Sequence, residues 1–192
     1  LIEDEISGQR DKTATNVIGY FHQNIFRYFP NCVVPREGWD VIVTQKDGTK
    51  IYVEMKNKHN TMNAASSQKT YIQMQNQIMQ TPNDFCFLVE AIAPCSRNIP
   101  WGCSVNKIHC EHAHIRRVSM DQFYAIVTGE TTAFFEMCMQ LPKTIEKIVR
   151  QNRNLTVQKD TVLEELQQMH PDLQIALYQL AFATYDGFSL LK

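Results

Sequence analysis

Residues 39–60 read WDVIVTQKDGTKIYVEMKNKHN and contain two runs that are rich in β-branched side chains. Such runs favour β-strands, and the Asp47-Gly48 pair between them is a strong turn signal, so the stretch predicts a β-hairpin. Because side chains alternate across a strand, Glu54 and Lys56 share one face of the second strand.

The length of the hairpin loop decides whether Asp40 joins these two residues. A two-residue loop places Asp40 opposite Met55, which leaves the carboxylates of Asp40 and Glu54 on opposite faces. A three-residue loop over 46–48, with Gly48 in the left-handed conformation, places Asp40 directly across from Glu54. We expect the three-residue loop.

Two carboxylates that face each other across neighbouring strands have Cβ atoms roughly 5 Å apart and repel each other. A divalent cation between them removes this repulsion, and carboxylate and carbonyl oxygens suit Mg²⁺ or Mn²⁺. The candidate metal ligands are therefore the side chains of Asp40 and Glu54 and the backbone carbonyl of Met55. Lys56 is a candidate for orienting a water molecule that attacks a phosphodiester.

The order Asp40, then Glu54-Met55-Lys56 on the next strand, resembles the D…(D/E)xK core of the PD-(D/E)xK nuclease superfamily. Trp39 stands where that superfamily usually has a proline. The core by itself is a weak signal, since an ExK tripeptide occurs by chance in many chains.

Longer stretches sharpen the resemblance. NVIGYFHQNIF (16–26), VEMKNKHNTMN (53–63) and HIRRVSMDQFYAIVTGE (114–130) together resemble the type II restriction endonucleases that cut GGNCC-like or GGWCC-like sites. The resemblance covers most of the chain, from residue 1 to the neighbourhood of residue 150, and thins out toward the C-terminus.

This resemblance implies a type II site-specific deoxyribonuclease that hydrolyses double-stranded DNA at a short GG/CC-type palindrome. It implies Mg²⁺ as the cofactor, with Mn²⁺ as a substitute, and a DNA methyltransferase as the paired enzyme of a restriction-modification system. It also implies a homodimer, because a two-fold axis then matches that of the palindrome. In such a site Asp40 and Glu54 hold the metal and Lys56 positions the water.

Six residues are candidates for DNA binding: Lys58, His59, Asn60, Asn63, Arg116 and Arg117. Lys58 and His59 belong to a basic patch that follows the hairpin, and the two asparagines lie in a stretch that carries the resemblance. Arg116 and Arg117 precede a predicted helix at the edge of the sheet. Arginine bonded to O6 and N7 of guanine is the commonest specific contact in the major groove, and a structural salt bridge is the alternative for either residue.

The pattern of elements predicts an α/β (α+β) fold with a central mixed β-sheet, a catalytic hairpin, flanking helices and a helical C-terminal part. The predicted helices and strands are helix 15–29, helix 64–80 capped by Asn63, strand 85–92, strand 114–118, helices 132–140 and 142–153, a helix opening at 161–164, and helix 171–184. Ser119 and Gln122 fit a capping box for a helix through Val127. Glu90 interrupts strand 85–92, so it lies either at the exposed end of that strand or near the metal site.

The chain has 192 residues, of which 44% are hydrophobic, and this is enough for one domain with a sizeable core. We expect a single nuclease domain over 1–192, with a catalytic core at 1–130 and a helical extension at 131–192. The net charge of −1 does not argue against DNA binding, since acidic residues at a metal site offset basic patches elsewhere.

The N-terminal region carries two further expectations. Leu1 is not a start methionine, and the resemblance implies an additional N-terminal segment in the full-length enzyme. It also makes Glu3 or Glu5 a candidate for a second metal position, with solvated surface charge as the alternative. No apolar run approaches the ~20 residues that span a membrane and no leader is evident, so we expect a cytoplasmic protein.

The segment 95–114 is rich in cysteine and histidine. It holds Cys95, Cys103, His109, Cys110, His112 and His114, whose spacing matches none of the common zinc patterns. We expect reduced thiols and keep a zinc site as the alternative. A lone His22 in the first predicted helix is expected to be a hydrogen-bonded structural residue, with a catalytic base as the alternative.

Two other functions stay open beside the restriction enzyme. One is a repair or recombination nuclease with the same core. The other is a non-catalytic DNA-binding or zinc-stabilised module in which the hairpin charges are solvated. The chain has no glycine-rich P-loop and no serine elbow, which argues against nucleotide hydrolysis and acyl transfer.

Overall fold

The computed structural model describes residues 21–59 and 62–151, together with the isolated positions 168 and 171. Its strands are β1 (Cys32–Val33), β2 (Val41–Thr44), β3 (Lys50–Lys58), β4 (Phe85–Ile92), β5 (Asn98–Pro100), β6 (Cys103–Val105), β7 (Ile108–Cys110) and β8 (Ile115–Ser119). Its helices are a 3₁₀ turn (Phe26–Tyr28), which follows the helical residues 21–25, then α1 (Ala64–Gln80), α2 (Met120–Thr128) and α3 (Ala133–Gln151).

Six of the strands form one mixed sheet in the order β1-β2-β3-β4-β8-β5. The hairpin pair β2 and β3 is antiparallel, whereas β3, β4 and β8 run parallel to one another. Parallel neighbours need a long crossover, and α1 supplies it between β3 and β4. The predicted mixed sheet with a hairpin and flanking helices is confirmed.

Apolar side chains cover both faces of this sheet. One face packs against α2 and the start of α3 around Phe26, Phe123 and Phe134. The other packs against α1 and the small β6-β7 hairpin around Tyr71 and Trp101. Central strand β4 is buried on both faces, which explains its nearly continuous apolar sequence.

Helix α1 and strand β4 have the predicted bounds, and the side chain of Asn63 caps α1 by accepting a hydrogen bond from the Ser66 amide at 2.8 Å. The strand predicted at 114–118 is shifted by one residue. Its predicted place at the edge of the sheet is wrong, because β5 pairs along its outer side. Part of the segment predicted as a loop between 94 and 110 forms the short strands β5, β6 and β7.

The predicted capping box at Ser119 is wrong in its side-chain contacts. Ser119 is the residue that precedes α2, yet its side chain makes no cap hydrogen bond. Its hydroxyl instead donates to Oδ1 of the buried Asp121 at 2.5 Å, and Gln122 donates to Ser96. A charged acceptor two residues away outcompetes the helix amide because hydrogen bonds to an ionised group are the stronger ones.

The predicted break before Pro142 is also wrong, since α3 runs through this position as one helix. A proline inside a helix removes one backbone hydrogen bond. The fixed φ of proline is otherwise compatible with helical backbone, so α3 continues at the cost of that bond. The helices predicted beyond residue 153 lie outside the described residues.

No helix in the described part of the chain is long and apolar enough to cross a membrane.

Candidate active site

The hairpin loop has the predicted three residues, 46–48. The amide of Gln45 donates to the Thr49 carbonyl at 2.8 Å, which closes the loop, and the Gly48 amide donates to the Gln45 carbonyl at 3.0 Å. Gly48 has a φ of +86°, the left-handed conformation that favours glycine. The loop prediction is confirmed.

This loop sets the register of the hairpin, with Val41 opposite Val53. Continued by one residue, the register brings Asp40 across from Glu54, as predicted. The regular ladder of backbone hydrogen bonds ends at this point. The Asp40 amide donates at 2.9 Å to the carbonyl of Val53, which is the residue opposite Val41 and not opposite Asp40. The Asp40 side chain turns toward β3, where its Oδ2 accepts a hydrogen bond from the Met55 amide at 2.7 Å.

Glu54 and Lys56 lie on the same face of β3, as the alternation of side chains predicts. The Lys56 Nζ atom is 2.7 Å from Oε1 of Glu54, and the side chains retain 29% and 21% of their exposure. Ile51 and Val53 point to the opposite face and are fully buried. The strand thus anchors itself in the core with one face and presents the charged pair on the other.

The electrostatics of Asp40 reflect its charged neighbours. Burial, the largest cause, and the nearby Glu54 carboxylate both raise the pKa of its carboxyl group. The hydrogen bond from the Met55 amide and the Lys56 ammonium group lower it. The net result is a raised pKa. A cation placed between Asp40 and Glu54 would relieve both the lost hydration and the repulsion.

The donor atoms at this point suit a hard divalent cation. Asp40 and Glu54 supply carboxylate oxygens, and the amide of Met55 points at Asp40. In an extended strand the amide and the carbonyl of one residue point to the same side, so the Met55 carbonyl faces this edge as well. A divalent ion held here would take its protein ligands from two carboxylates and one carbonyl. Within the described residues no group of three or more His, Cys, Asp or Glu side chains is arranged to hold a metal ion.

Several predicted residues can be traced only in part. Glu3, Glu5 and Asn60 lie outside the described residues. Lys58 is the last residue of β3, and its backbone pairs with Ile92.

His59 and Asn63 flank the undescribed positions 60 and 61. The His59 carbonyl accepts a hydrogen bond from Arg117 NH2 at 2.6 Å, and the buried His59 Nδ1 has no partner among the described residues. Asn63 is exposed and uses its side-chain oxygen to cap α1.

Arg116 bonds to groups of its own chain. Its Nε and NH2 atoms donate to the side-chain and backbone oxygens of Asn98 at 2.5 and 2.6 Å, and NH1 donates to the Ala113 carbonyl at 3.1 Å. Arg116 therefore forms hydrogen bonds within the protein and not the salt bridge that was the alternative to DNA binding.

Arg117 forms the salt bridge that was its alternative role. Its Nε donates to Oε1 of Glu90 at 2.7 Å, and its NH2 contacts the same oxygen. The second oxygen of Glu90 accepts from Arg97 NH2 at 2.5 Å. The exposed strand end predicted as one position for Glu90 is wrong, because Glu90 is buried and pairs with Lys56 in the parallel register of β3 and β4.

Sequence reasoning missed three residues of this region. Arg97 lies in a loop, and the only signal for it was that a glutamate inside an apolar strand requires a cationic partner. Gln73 of α1 donates to the Gly38 carbonyl at 3.3 Å and so ties the helix to the chain just ahead of Asp40. Gln23 likewise donates to the Asp40 carbonyl at 3.4 Å.

His22 packs among aromatic rings, but the hydrogen bond expected for it is not seen, since its buried Nδ1 has no partner among the described residues. Its ring packs against the rings of Phe21, Tyr124 and Phe134 at centroid distances of 5.4, 6.5 and 6.2 Å. Burial lowers the pKa of His22 to about 4.

All six cysteines carry free thiols. Cys103 and Cys110 face each other across the β6-β7 ladder. His114 stacks on Phe85 at a centroid distance of 4.3 Å, and its Nδ1 lies 3.0 Å from the Asp84 carbonyl. These contacts are those of packed side chains.

Known proteins resemble this chain over most of its length. A family model described as Eco47II restriction endonuclease matches residues 1–150. The type II restriction enzyme Sau96I of Staphylococcus aureus is 29% identical over 157 residues, which are 78% of this chain and 60% of that protein. The type II restriction enzyme Eco47II of Escherichia coli is 27% identical over 161 residues, which are 76% of this chain and 64% of that protein.

The chain thus spans less than two thirds of the length of either relative. No solved structure matches it significantly. The family model covers more than half of the chain and includes the whole hairpin with Asp40, Glu54 and Lys56. This chain therefore belongs to the Eco47II restriction endonuclease family.

Proposed function

We propose that this chain is the nuclease domain of a Mg²⁺-dependent type II restriction endonuclease that hydrolyses double-stranded DNA at a short GG/CC-type palindrome. The observation that carries the proposal is the hairpin register, which brings the carboxylates of Asp40 and Glu54 and the ammonium group of Lys56 to one end of the sheet. The match of residues 1–150 to the family supports it.

Asp40, Glu54 and the Met55 carbonyl are the groups that would hold the divalent ion. When bound, the ion stabilises the negative charge that builds on the phosphate and favours ionisation of water. Mn²⁺ has the same preference for oxygen ligands and is expected to substitute for Mg²⁺.

Each residue has a separate task in this scheme. The Met55 amide holds Asp40 in place through Oδ2, which leaves Oδ1 and the second lone pair of Oδ2 for the ion. Lys56 orients the attacking water with its ammonium group, since an oxygen of the water can accept a hydrogen bond from Nζ. The water oxygen forms a bond to phosphorus and gives up a proton to solvent, while one P–O ester bond breaks with its electron pair staying on the leaving oxygen, which takes up a proton from solvent.

The DNA would run along the end of the sheet at which β3 finishes. Lys58, His59, Asn60 and Asn63 follow Lys56 in the chain and are our candidates for contacts to the phosphates and base edges nearest the site. A palindromic site calls for two active sites related by a two-fold axis, so the enzyme is proposed to act as a homodimer. A paired DNA methyltransferase and a cytoplasmic location complete the proposal.

The decisive experiment incubates the purified protein with unmethylated phage DNA in the presence of Mg²⁺ or of a chelator. Discrete fragments that require the metal, and that disappear when the DNA carries methylated GG/CC-type sites, are the expected result. A smear without discrete fragments would instead identify a repair-type or recombination nuclease.

The matched variant is Glu54→Gln, which keeps the size of the side chain and removes its charge. It is expected to lose cleavage by at least about a hundredfold while retaining specific DNA binding. Glu130→Gln makes the same chemical change at an exposed position beyond α2 and is expected to cleave normally. Undiminished cleavage by Glu54→Gln would mean that the active centre lies elsewhere.

A further inference from the structure

Next to the hairpin lies a cluster of three charged residues, Glu90, Arg97 and Arg117, that the proposed function does not use. We propose that Arg117, oriented by the buried Glu90, is a positioning residue that holds the end of β3 in place through the His59 carbonyl. This inference rests on the proposed function, because β3 carries Lys56. It assigns Arg117 to the protein interior rather than to a base of the DNA.

Glu90 is 1% exposed although it carries a charge. Glu90 of β4 pairs with Lys56 of β3, so the two side chains lie on the same face of the sheet. A buried carboxylate is unfavourable unless it is paired with a cation. Without such a partner, the Glu90 carboxylate would compete with Glu54 for the Lys56 ammonium group.

Two arginines pair with Glu90, one on each oxygen. Arg117 Nε donates to Oε1 at 2.7 Å, and Arg97 NH2 donates to Oε2 at 2.5 Å. Arg97 is held from the other side, since its amide donates to the Ser119 hydroxyl at 2.9 Å and its carbonyl accepts from the Ser119 amide at 2.9 Å. The carboxylate is thus neutralised inside the protein, and the backbone of Arg97 is tied to Ser119.

Arg117 reaches beyond Glu90. Its NH2 atom donates to the His59 carbonyl at 2.6 Å, a contact between residues 58 positions apart in the chain. His59 follows the last residue of β3 and lies three positions after Lys56. The planar guanidinium group therefore connects β8, the charge buried on β4 and the end of β3.

Arg116 provides the contrast on the same strand. It points to the opposite face and bonds to Asn98 and Ala113. The link to β3 is a property of Arg117 and not of arginines on β8 in general.

The test compares Arg117→Lys with Arg97→Lys. Both variants keep the positive charge beside Glu90, but a lysine has no planar fork and cannot bond Glu90 and the His59 carbonyl in the same geometry. Only Arg117→Lys loses the link to His59. Single-turnover cleavage, affinity for cognate DNA without catalytic metal, and affinity for sites with one changed base pair are measured for each variant.

Arg117→Lys is expected to slow single-turnover cleavage by roughly 10 to 100-fold, because a small misplacement of a catalytic group has effects of this size. Its affinity for cognate DNA should change by less than about threefold, and its discrimination against changed sites should stay the same. Arg97→Lys is expected to lose about as much thermal stability as Arg117→Lys but to slow cleavage less.

If Arg117 instead read a base, Arg117→Lys would weaken cognate binding and relax discrimination at one position of the site, which would overturn the inference. Equal slowing by the two lysine variants would overturn it too, because the ion pair and not the link to His59 would then matter. Glu90→Gln is a second variant if Arg117→Lys does not fold. It keeps a side-chain oxygen for Arg117 and should likewise slow cleavage without altering discrimination.

Hydrogen exchange of the backbone amides separates this inference from the proposed function. In Arg117→Lys the amides of residues 57–59 should exchange faster than in the wild type, whether or not the protein cleaves DNA, while those of α2 keep their rates. Unchanged exchange at 57–59 would refute the link itself. Lack of cleavage by the wild type would refute only the proposed function.

Discussion

The Nζ atom of Lys56 lies 2.7 Å from Oε1 of Glu54, so the ammonium group neutralises a carboxylate that we assign to the metal. The lysine and a divalent cation therefore compete for the same oxygen. Binding of the cation would release Lys56 toward the phosphate side of the site, where a water-orienting group is needed.

Lys56→Met removes this competitor and is expected to affect metal binding and cleavage in opposite directions. Affinity for Mg²⁺ should increase by roughly 3 to 10-fold, a modest effect because both side chains are partly exposed to solvent. Cleavage should fall by about 10² to 10⁴-fold. Calorimetric titration with Mg²⁺ and single-turnover cleavage measure the two effects.

The matched control is Lys50→Met, at an exposed position on the same face of β3 but at the far end of the strand. It should change neither quantity. Weaker metal binding by Lys56→Met would contradict the competition and would point to a structural role of the lysine.

Gly48 sets the hairpin register through its φ of +86°. A Cβ atom at this position would have no heavy atom of the described residues within 4 Å, so Gly48→Ala introduces backbone strain and no collision. We expect a loss of about 1–2 kcal/mol in the free energy of unfolding, measured by urea denaturation. Gly48→Asn should lose less, because asparagine tolerates the left-handed conformation. Equal losses for alanine and asparagine would argue against the left-handed loop.

Asn63 caps α1 and is also a candidate DNA contact, and two substitutions separate these roles. Asn63→Ala should lower the free energy of unfolding by about 1 kcal/mol through loss of the cap. Asn63→Asp keeps the cap and should retain wild-type stability, as a negative charge suits a helix N-terminus. If Asn63 lies beside a phosphate, the aspartate variant should bind DNA more weakly than the alanine variant in a fluorescence titration. Equal DNA affinities of the two variants would remove Asn63 from the interface.

His22 makes stability depend on pH. Burial lowers the pKa of His22 to about 4 from an ordinary value of 6.5, so the unfolded chain binds more protons between these values. The stabilisation is complete above pH 6.5 and is lost progressively as the pH falls toward 4, by about 3 kcal/mol in all.

His22→Phe keeps a ring among Phe21, Tyr124 and Phe134 and removes the titrating group. Its melting temperature, relative to the wild type, should rise as the pH is lowered from 6.5 to 4. A difference that does not vary with pH would mean that His22 is not buried as a neutral ring. The raised pKa of Asp40 acts in the opposite direction and is common to both proteins, so it cancels in the comparison.

Features that depend on neighbours in the sequence could be predicted well. The three-residue loop followed from Gly48 and from the requirement that Asp40 face Glu54, and the structure has that loop. Helix α1 with its Asn63 cap and strand β4 have the predicted bounds, because capping and hydrophobic patterning are local signals.

Contacts between distant residues could not be predicted in this way. Pro142 carried a stop signal although α3 continues through it, and Ser119 carried a capping signal that a nearby carboxylate overrode. The glutamate inside strand β4 called for a cationic partner, but nothing in the sequence around Arg97 identifies it as that partner.

The sequence by itself determined the hairpin, because alternation along β3 and the geometry of one glycine loop bring Asp40, Glu54 and Lys56 together without reference to the rest of the chain. Only the tertiary structure decided what the two arginines of β8 contact. Their partners come from β4, from β5, from the loop before β8 and from the residue that follows β3, and a buried charge pairs with whatever cation the fold brings within reach.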